Sequence, residues 1–185
     1  MAGAQTPRPQ SQPRGCLATL AVLVIMIGIV AAGFFAQDAV ADIPNQPVQV
    51  APGVSVLPPP DWEFQGRSDD QNTILLSRGN ASLAISVVEG TDERMALTTL
   101  RDEWAASGTV SIGEIRDATG VHGTNEAARF TYSGTFAEIA SAVEGEVTGV
   151  GGTSLVVVFD GWADVGEYAG VADDIDAITA ATSIP

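Results

Sequence analysis

Residues 143–159 read VEGEVTGVGGTSLVVVF, and this stretch decides the fold class. Two β-type runs, residues 143–150 and residues 155–159, flank Gly151 and Gly152, which predicts a hairpin with a glycine turn. The second run is apolar at every position, as is typical of a central strand that is covered on both faces. The hairpin therefore lies inside a sheet and not at its margin.

Strand patterns recur on the N-terminal side of this hairpin. Most of them alternate apolar and small or polar residues, the pattern of a half-buried strand. A Pro58-Pro59-Pro60 run ends the first strand, and Arg78-Gly79-Asn80 provides a later turn. The predicted strands are residues 54–56, 62–64, 72–77, 83–87, 110–115 and 128–133.

Two segments have helical periodicity instead. Residues 91–106 follow a plausible N-cap at Thr91 and place Leu97, Leu100 and Trp104 on one stripe, and Ser107-Gly108 follows the helix. The second helix begins at Tyr168 and runs toward the C-terminus, with Val171, Ile175 and Ile178 on its apolar side. Residues 48–185 thus form one acidic α+β domain, an antiparallel sheet flanked by two helices.

The N-terminal region predicts a membrane span. Residues 16–35 contain no charge, and as a helix they are long enough to cross a hydrocarbon core. Arg8 and Arg14 precede this run, so the positive-inside rule places the N-terminus in the cytoplasm. We expect a disordered cytoplasmic tail (1–15), a signal-anchor helix (16–36), a linker (37–47) and an extracytoplasmic domain at the cell membrane.

A cleaved signal peptide is the alternative to this anchor. Ala39-Val40-Ala41 precedes Asp42 and has the small residues of a cleavage site. The apolar run is longer than that of an ordinary signal peptide, which favours the anchor. Cleavage after Ala41 would instead yield a secreted protein.

Charge narrows the range of partners. From Asp38 onward the chain carries 23 acidic residues and only six arginines, and it has no lysine. A phosphate-binding surface needs clustered basic residues, so nucleic acid is excluded as a partner. The abundance of Ala, Gly and Val with no lysine is typical of GC-rich bacteria such as the actinobacteria.

The residues needed for common catalytic or metal sites are scarce. Cys16 is the only cysteine, so no intramolecular disulfide can form, and His122 is the only histidine. A zinc site or a nucleophile–histidine pair needs more such residues, so no metal, cofactor or catalytic residue is predicted. We expect His122 to lie exposed in a loop.

Carboxylates are the only abundant reactive group. Glu144 and Glu146 share one strand face, while Asp69 and Asp70 are adjacent. Either pair could serve a glycan hydrolase if both carboxylates converged in a cleft. Chance pairs are frequent in an acidic chain, so solvated surfaces are favoured for these pairs and for the group Asp173, Asp174 and Asp176.

Tryptophans are the remaining candidates for recognition. Trp104 belongs to the helix stripe and is assigned to the core. Trp62 and Trp162 lie at the ends of predicted elements, where an aromatic side chain is often half exposed. We therefore take Trp62 and Trp162 as the candidate binding residues.

The order of elements resembles a known family. Residues 54–62, VSVLPPPDW, are similar to the strand and Pro-x-x-Trp opening of Mog1/PsbP-like domains. Residues 143–159 resemble the late hairpin of these domains, and residues 168–184 resemble their terminal helix. The resemblance covers about residues 48–184 and points to the exported actinobacterial, LpqN-type branch. It implies a layered sheet and partner binding without a shared catalytic site.

These observations predict a function class. The chain is expected to be a non-catalytic, membrane-anchored binding or assembly domain of the bacterial cell envelope. Its partner would be an envelope protein or lipid, bound in a groove between the sheet and a helix. A carboxylate-dependent envelope-glycan hydrolase and a secreted binding protein remain the alternatives.

Overall fold

The structure is a computed structural model that describes residues 46–90, 92–107, 109–123, 125–136, 139 and 141–185. The predicted tail and anchor, and the linker up to residue 45, lie outside these residues. Within the described ranges, no helix has the length and hydropathy needed to cross a membrane.

In the part of the chain that the structure describes, ten strands form two antiparallel sheets. The strands are β1 (Val48–Ala51), β2 (Val54–Val56), β3 (Glu63–Arg67), β4 (Thr73–Arg78), β5 (Ala81–Glu89), β6 (Val110–Ile112), β7 (Arg116–Asp117), β8 (Ala127–Gly134), β9 (Val143–Gly151) and β10 (Leu155–Asp164). The large sheet has the order β3-β4-β5-β10-β9-β8-β6, with β7 also paired to β8, and β1 and β2 form a separate hairpin.

Strand β10 lies in the middle of the large sheet and is covered on both faces. Its alternate residues point in opposite directions. Val157 and Phe159 join one buried cluster, whereas Val156 and Val158 join another. The prediction of a central strand with two covered faces is therefore confirmed.

The first helix, α1 (Glu93–Ser107), packs on one face of the sheet. The backbone N–H of Met95 donates to Asp92 Oδ1 at 2.9 Å, so Asp92 caps the helix. The predicted cap, Thr91, lies outside the described residues. Leu97 and Trp104 are buried against β8 and β9. Three T-shaped contacts, with ring centroids 5.8, 4.9 and 5.2 Å apart, join Trp104 to Phe130, Tyr132 and Phe136.

The second helix, α2 (Ala172–Ala181), packs on the opposite face with Ile175 and Ile178 buried. The single helix expected from Tyr168 onward is divided, because a 3₁₀ turn (Tyr168–Gly170) precedes α2. The Val171 N–H bonds to the Tyr168 carbonyl at 2.9 Å, which is the shorter repeat of a 3₁₀ helix.

The β1–β2 hairpin covers the same face as α2. Val50, Val54 and Val56 are fully buried in the cluster beneath it. The Arg67 guanidinium donates to the Val50 carbonyl at 2.7 Å and also to the Gln49 carbonyl. One side chain of β3 therefore fastens the hairpin to the large sheet.

Strand β10 is longer than the predicted run because Asp160 and Gly161 continue it. Both residues pair with β5 on one side and β9 on the other. Asp160 accepts a buried hydrogen bond from Tyr132, and a Cβ at Gly161 would lie 2.7 Å from Ile175 Cδ1. A side chain at this position would therefore have to displace Ile175 of α2. In contrast, the predicted strand over residues 110–115 is shorter than expected, because β6 ends at Ile112.

Candidate functional site

Helix α1 leaves part of its own face of the sheet open. It contacts β6, β8, β9 and β10, and its contacts do not extend to the main part of β4 and β5. On that half, Leu75, Ser77, Ser82, Ser86 and Val88 are half-buried, whereas Thr73 and Ala84 of the same face are buried. The register pairs Ser82 with both Ser77 and Trp162. We call this surface, formed by Leu75, Ser77, Ser82, Ser86, Val88 and Trp162, the open face.

The row Tyr132–Gly145–Trp162 crosses three strands at the border between the helix and the open face. Gly145 has no side chain, so the Tyr132 ring can lie over it: a Cβ at position 145 would be 2.8 Å from Tyr132 Oη. The Tyr132 hydroxyl then donates to Asp160 Oδ1 at 2.7 Å. This bond links β8 to β10 over the intervening strand β9.

Asp160 is a buried carboxyl group beside the open face, with 6% of its surface exposed. Burial disfavours the charged form and raises the pKa of Asp160 to about 7, although the hydrogen bond from Tyr132 acts in the opposite direction. Asp160 was not identified from the sequence as a buried carboxyl group. The available signal was its position directly after the apolar run 155–159.

Glu103 is a second acidic residue of this region that the sequence did not single out. Helical geometry places it on the flank of α1 opposite Arg101 and Ala105, which line a cleft with β6. Glu103 therefore faces the β10 side. Its Oε1 atom is buried and has no hydrogen-bond partner among the described residues. Desolvation raises the pKa of Glu103.

The two candidate tryptophans have different environments. Trp62 is only 5% exposed and belongs to the buried cluster on the α2 side of the sheet, so the expectation that it is half exposed is wrong. The Arg78 guanidinium lies 5.4 Å from the centre of its ring. Trp162 is partly buried and lies at the edge of the open face. A binding role for either residue stays a prediction, and only Trp162 lies on a surface.

The pair Glu144 and Glu146 lies on the face covered by α2, and each carboxylate has local partners. Glu144 Oε1 accepts from the Gly166 and Tyr168 N–H groups at 2.9 and 3.3 Å. Glu146 Oε1 forms a 2.8 Å ion pair with Arg129. Desolvation raises the pKa of Glu146, and Arg129 partly offsets this effect. These contacts give both residues roles in holding loops and strands.

The aspartate clusters also have structural contacts. Asp70 Oδ1 accepts from the Ser68 hydroxyl at 2.5 Å and from the Asn72 N–H at 3.1 Å, which orders the β3–β4 turn, and Asp69 is exposed. On α2, Asp173 is exposed as expected. Asp174 is half-buried and pairs with Arg78 at 2.6 Å. Asp176 lies 3.8 Å from Arg129, and the side chains of Asp174 and Asp176 are 45% and 48% exposed, so the solvated side expected for this helix is confirmed.

His122 does not lie free in a loop. It is half-buried, and its Nε2 is 2.5 Å from the carbonyl oxygen of Thr182. The expectation of an exposed histidine is therefore wrong. The C-terminal segment explains the difference, because it folds back over this loop and also bridges Ser183 to Ser55 of β2.

Comparisons with known proteins rest on structure alone. No family model matches the chain, and no curated protein matches it in sequence. The solution structure of the cyanobacterial PsbP protein CyanoP from Synechocystis superposes with a TM-score of 0.50 at 12% identity, covering 80% of this chain and 99% of that one.

Two further structures are similar at a lower level. LpqN, involved in cell envelope biogenesis of Mycobacterium tuberculosis, gives a TM-score of 0.45 at 15% identity, covering 76% of this chain and 90% of that one. The Ran-binding protein Mog1p of Saccharomyces cerevisiae gives 0.45 at 17% identity, covering 71% and 83%. Neither similarity is strong enough to carry an argument. The match to CyanoP, together with the element order, shows that the described part of this chain has a Mog1/PsbP-like α+β fold.

Proposed function

We propose that this chain is a non-catalytic binding domain of the bacterial cell envelope, held at the outer side of the cell membrane by residues 16–36. The open face is its recognition surface, and a protein is its partner. The single observation that carries the proposal is that α1 packs mainly on β6, β8, β9 and β10, with Trp162 of β10 partly exposed beside it.

The chemistry of the open face supports protein recognition. Hydroxyl groups of Ser77, Ser82 and Ser86 can donate or accept hydrogen bonds, while Leu75 and Val88 offer apolar area. Tryptophan is enriched among the residues that dominate binding energy in protein interfaces. A mixed surface of this kind suits a partner that presents both apolar and polar groups.

The contacts of the carboxylates support a role without catalysis. An acid–base pair needs two carboxylates that converge in a cleft and can exchange protons with a substrate. Glu144 is committed to two backbone N–H groups and Glu146 to Arg129. These bonds oppose the use of either group on a glycan.

The open face can be tested by obstructing it. Ser82→Arg places a long side chain on its floor, and Ser111→Arg is a matched control because Ser111 is exposed on β6, away from the open face. We expect Ser82→Arg to abolish co-purification of a specific envelope protein from native membranes, with Ser111→Arg behaving as wild type. Equal recovery from both variants would rule out the open face as the recognition surface.

The anchor needs a separate test. The sequence supports it through the 20-residue uncharged run and the preceding arginines. We expect the full-length chain in the membrane fraction, and its C-terminal domain degraded when protease is added to spheroplasts. A mature protein that begins at Asp42 in the medium would establish the secreted alternative instead.

A further inference from the structure

Glu103 borders the open face from the helix side, and its carboxyl group lacks a partner. The residue lies on the flank of α1 that faces β10, and its Oε1 atom is buried without a hydrogen bond among the described residues. No ion pair reaches it in the same ranges. A buried acceptor in this state is costly, so a donor from outside the chain would offset the cost.

The neighbouring carboxyl groups on this face of β10 are already engaged. Asp160 accepts from the Tyr132 hydroxyl at 2.7 Å, and Asp164 accepts from the Ser141 hydroxyl at 2.8 Å. Burial raises the pKa of Glu103, as expected of a carboxylate that is held without a compensating charge. Glu103 therefore differs from both aspartates in having its hydrogen-bonding capacity unused.

The arginines of β3, β4 and β8 lie on the opposite face of the sheet. Arg67 holds the β1–β2 hairpin there, and the Arg78 guanidinium lies 5.4 Å from the centre of the Trp62 ring. Arg129 pairs with Glu146 under α2. None of these three cations is on the side of the sheet that carries Glu103.

The other three arginines lie beyond the far flank of α1. Arg101 lines the cleft between α1 and β6, and Arg94 pairs with Asp117 of β7. Arg116 is exposed on β7, which pairs with β8 on the side of the sheet away from β4 and β5. Since the chain has no lysine, residues 46–185 provide no basic side chain for Glu103.

Trp162 lies at the same level of the border as Glu103. The Trp104 ring is 4.9 Å from that of Tyr132, and Tyr132, Gly145 and Trp162 form one row across the strands. Glu103 directly precedes Trp104 and lies on the flank toward β10, so its carboxyl group is on the Trp162 side of this row. An aromatic ring and an unpartnered carboxyl group thus meet at the border of the open face.

We propose that the open face recognises an arginine or lysine side chain of its protein partner, which lies against the Trp162 ring and pairs with Glu103. This inference rests on the function proposed above and specifies the chemistry of the partner. The negative face of an indole attracts a cation, and a carboxylate adds a charge-assisted hydrogen bond. Ser82, the neighbour of Trp162 on β5, has a small side chain over which the apolar stem of the basic residue can pass.

Photo-crosslinking from Ser77 in living cells tests this site. Ser77 is on the open face one strand further from Trp162 than Ser82, so a photo-reactive amino acid there leaves the position beside the indole unfilled. We expect Glu103→Gln to lower the adduct yield of the full-length chain about tenfold, as the loss of one charged hydrogen bond. Glu126→Gln is the matched control, because Glu126 is exposed near the other end of α1, and it should leave the yield unchanged.

The adduct also identifies the cation. Mass spectrometry of the crosslinked segment should find an arginine or lysine close to the attachment point. Changing that residue to glutamine should lower the yield about tenfold with Glu103 present and have little further effect with Glu103→Gln, because the two groups act as one pair.

Two variants of Trp162 keep the test decisive if Glu103→Gln fails to fold. Trp162→Phe retains a ring and should retain more adduct than Trp162→Leu, which has none. Equal yields from these two variants, an unchanged yield with Glu103→Gln, or a captured segment without a basic residue would overturn the cation site and leave the open face as the recognition surface. No adduct from position 77 in the otherwise wild-type chain would overturn both proposals.

Discussion

The Tyr132 hydroxyl donates a 2.7 Å hydrogen bond to the Asp160 carboxylate across the face of strand β9. Tyr132 and Asp160 lie on strands that do not pair with each other, because β9 lies between β8 and β10. Gly145 is the β9 residue opposite Tyr132, and its own partner on β10 is Trp162. The bond depends on the missing side chain at Gly145 and on the burial of Asp160. It connects the aromatic cluster under α1 to the border of the open face.

Gly145→Ala is expected to destabilise the domain. The new Cβ would overlap the Gly161 carbonyl oxygen and lie 2.8 Å from the Tyr132 hydroxyl. Overpacking of this kind costs about 1–3 kcal/mol, and displacement of the Tyr132 ring would add the loss of its hydrogen bond. Urea denaturation of the full-length protein in detergent measures the change in the free energy of unfolding.

Gly66→Ala is the matched control for this substitution. A Cβ at Gly66 in β3 would meet nothing within 4 Å. We expect this variant to unfold at the same urea concentration as wild type or slightly higher. Equal midpoints for Gly66→Ala and Gly145→Ala would show that the Tyr132 ring does not need the space above residue 145.

Asp160 is expected to make stability depend on pH. The folded-state pKa of about 7 exceeds the unfolded value of about 4, so the folded state holds the proton more strongly between these values. The contribution of Asp160 to stability is therefore present below about pH 4 and is lost as the pH rises to about 7. Each unit of this pKa difference corresponds to about 1.4 kcal/mol.

Asp160→Asn isolates this effect from the other carboxylates. The amide oxygen can still accept from Tyr132, but the group does not titrate. Relative to wild type, the variant should gain stability on going from about pH 5 to about pH 8. If the stabilities of the two proteins changed in parallel over that pH range, Asp160 would be ionised in the folded state as well as in the unfolded state.

Arg67→Ala is expected to loosen the β1–β2 hairpin locally. The substitution removes hydrogen bonds to the Val50 and Gln49 carbonyls, each worth about 1.5–3 kcal/mol when the donor is charged. Hydrogen exchange should accelerate in residues 48–56 while the amides of β10 remain protected. Arg101→Ala, which breaks only an exposed pair with Asp102, should leave the hairpin amides unchanged.

The sequence predicted those elements whose apolar periodicity matches their burial. Two patterns identified strands of the sheet: the apolar run of residues 155–159 and the alternation around Phe130. Both patterns match burial, because the apolar side chains of these strands pack against covering layers. The stripe of Leu97 and Trp104 identified α1 for the same reason. The fold class follows from these patterns and from the order of elements.

Tertiary contacts explain what the sequence could not predict. Asp160 and Gly161 are poor strand residues, yet β10 continues through them because both pair with β5 and β9, and the Asp160 carboxyl accepts a hydrogen bond from Tyr132. Trp62 is buried where Arg78, which pairs with Asp174 of α2, lies over its ring, and His122 is partly covered by the returning C-terminus. Such contacts join distant parts of the chain and leave no local pattern.

Site-specific photo-crosslinking in living cells tests the recognition surface most directly. A photo-reactive amino acid replaces Ser82 on the open face, and the same residue replaces Ser111 on β6 as the control. We predict one discrete adduct with an envelope protein from position 82 and none from position 111. No adduct at position 82, or the same adducts from both positions, would contradict the assignment of the open face as the binding surface.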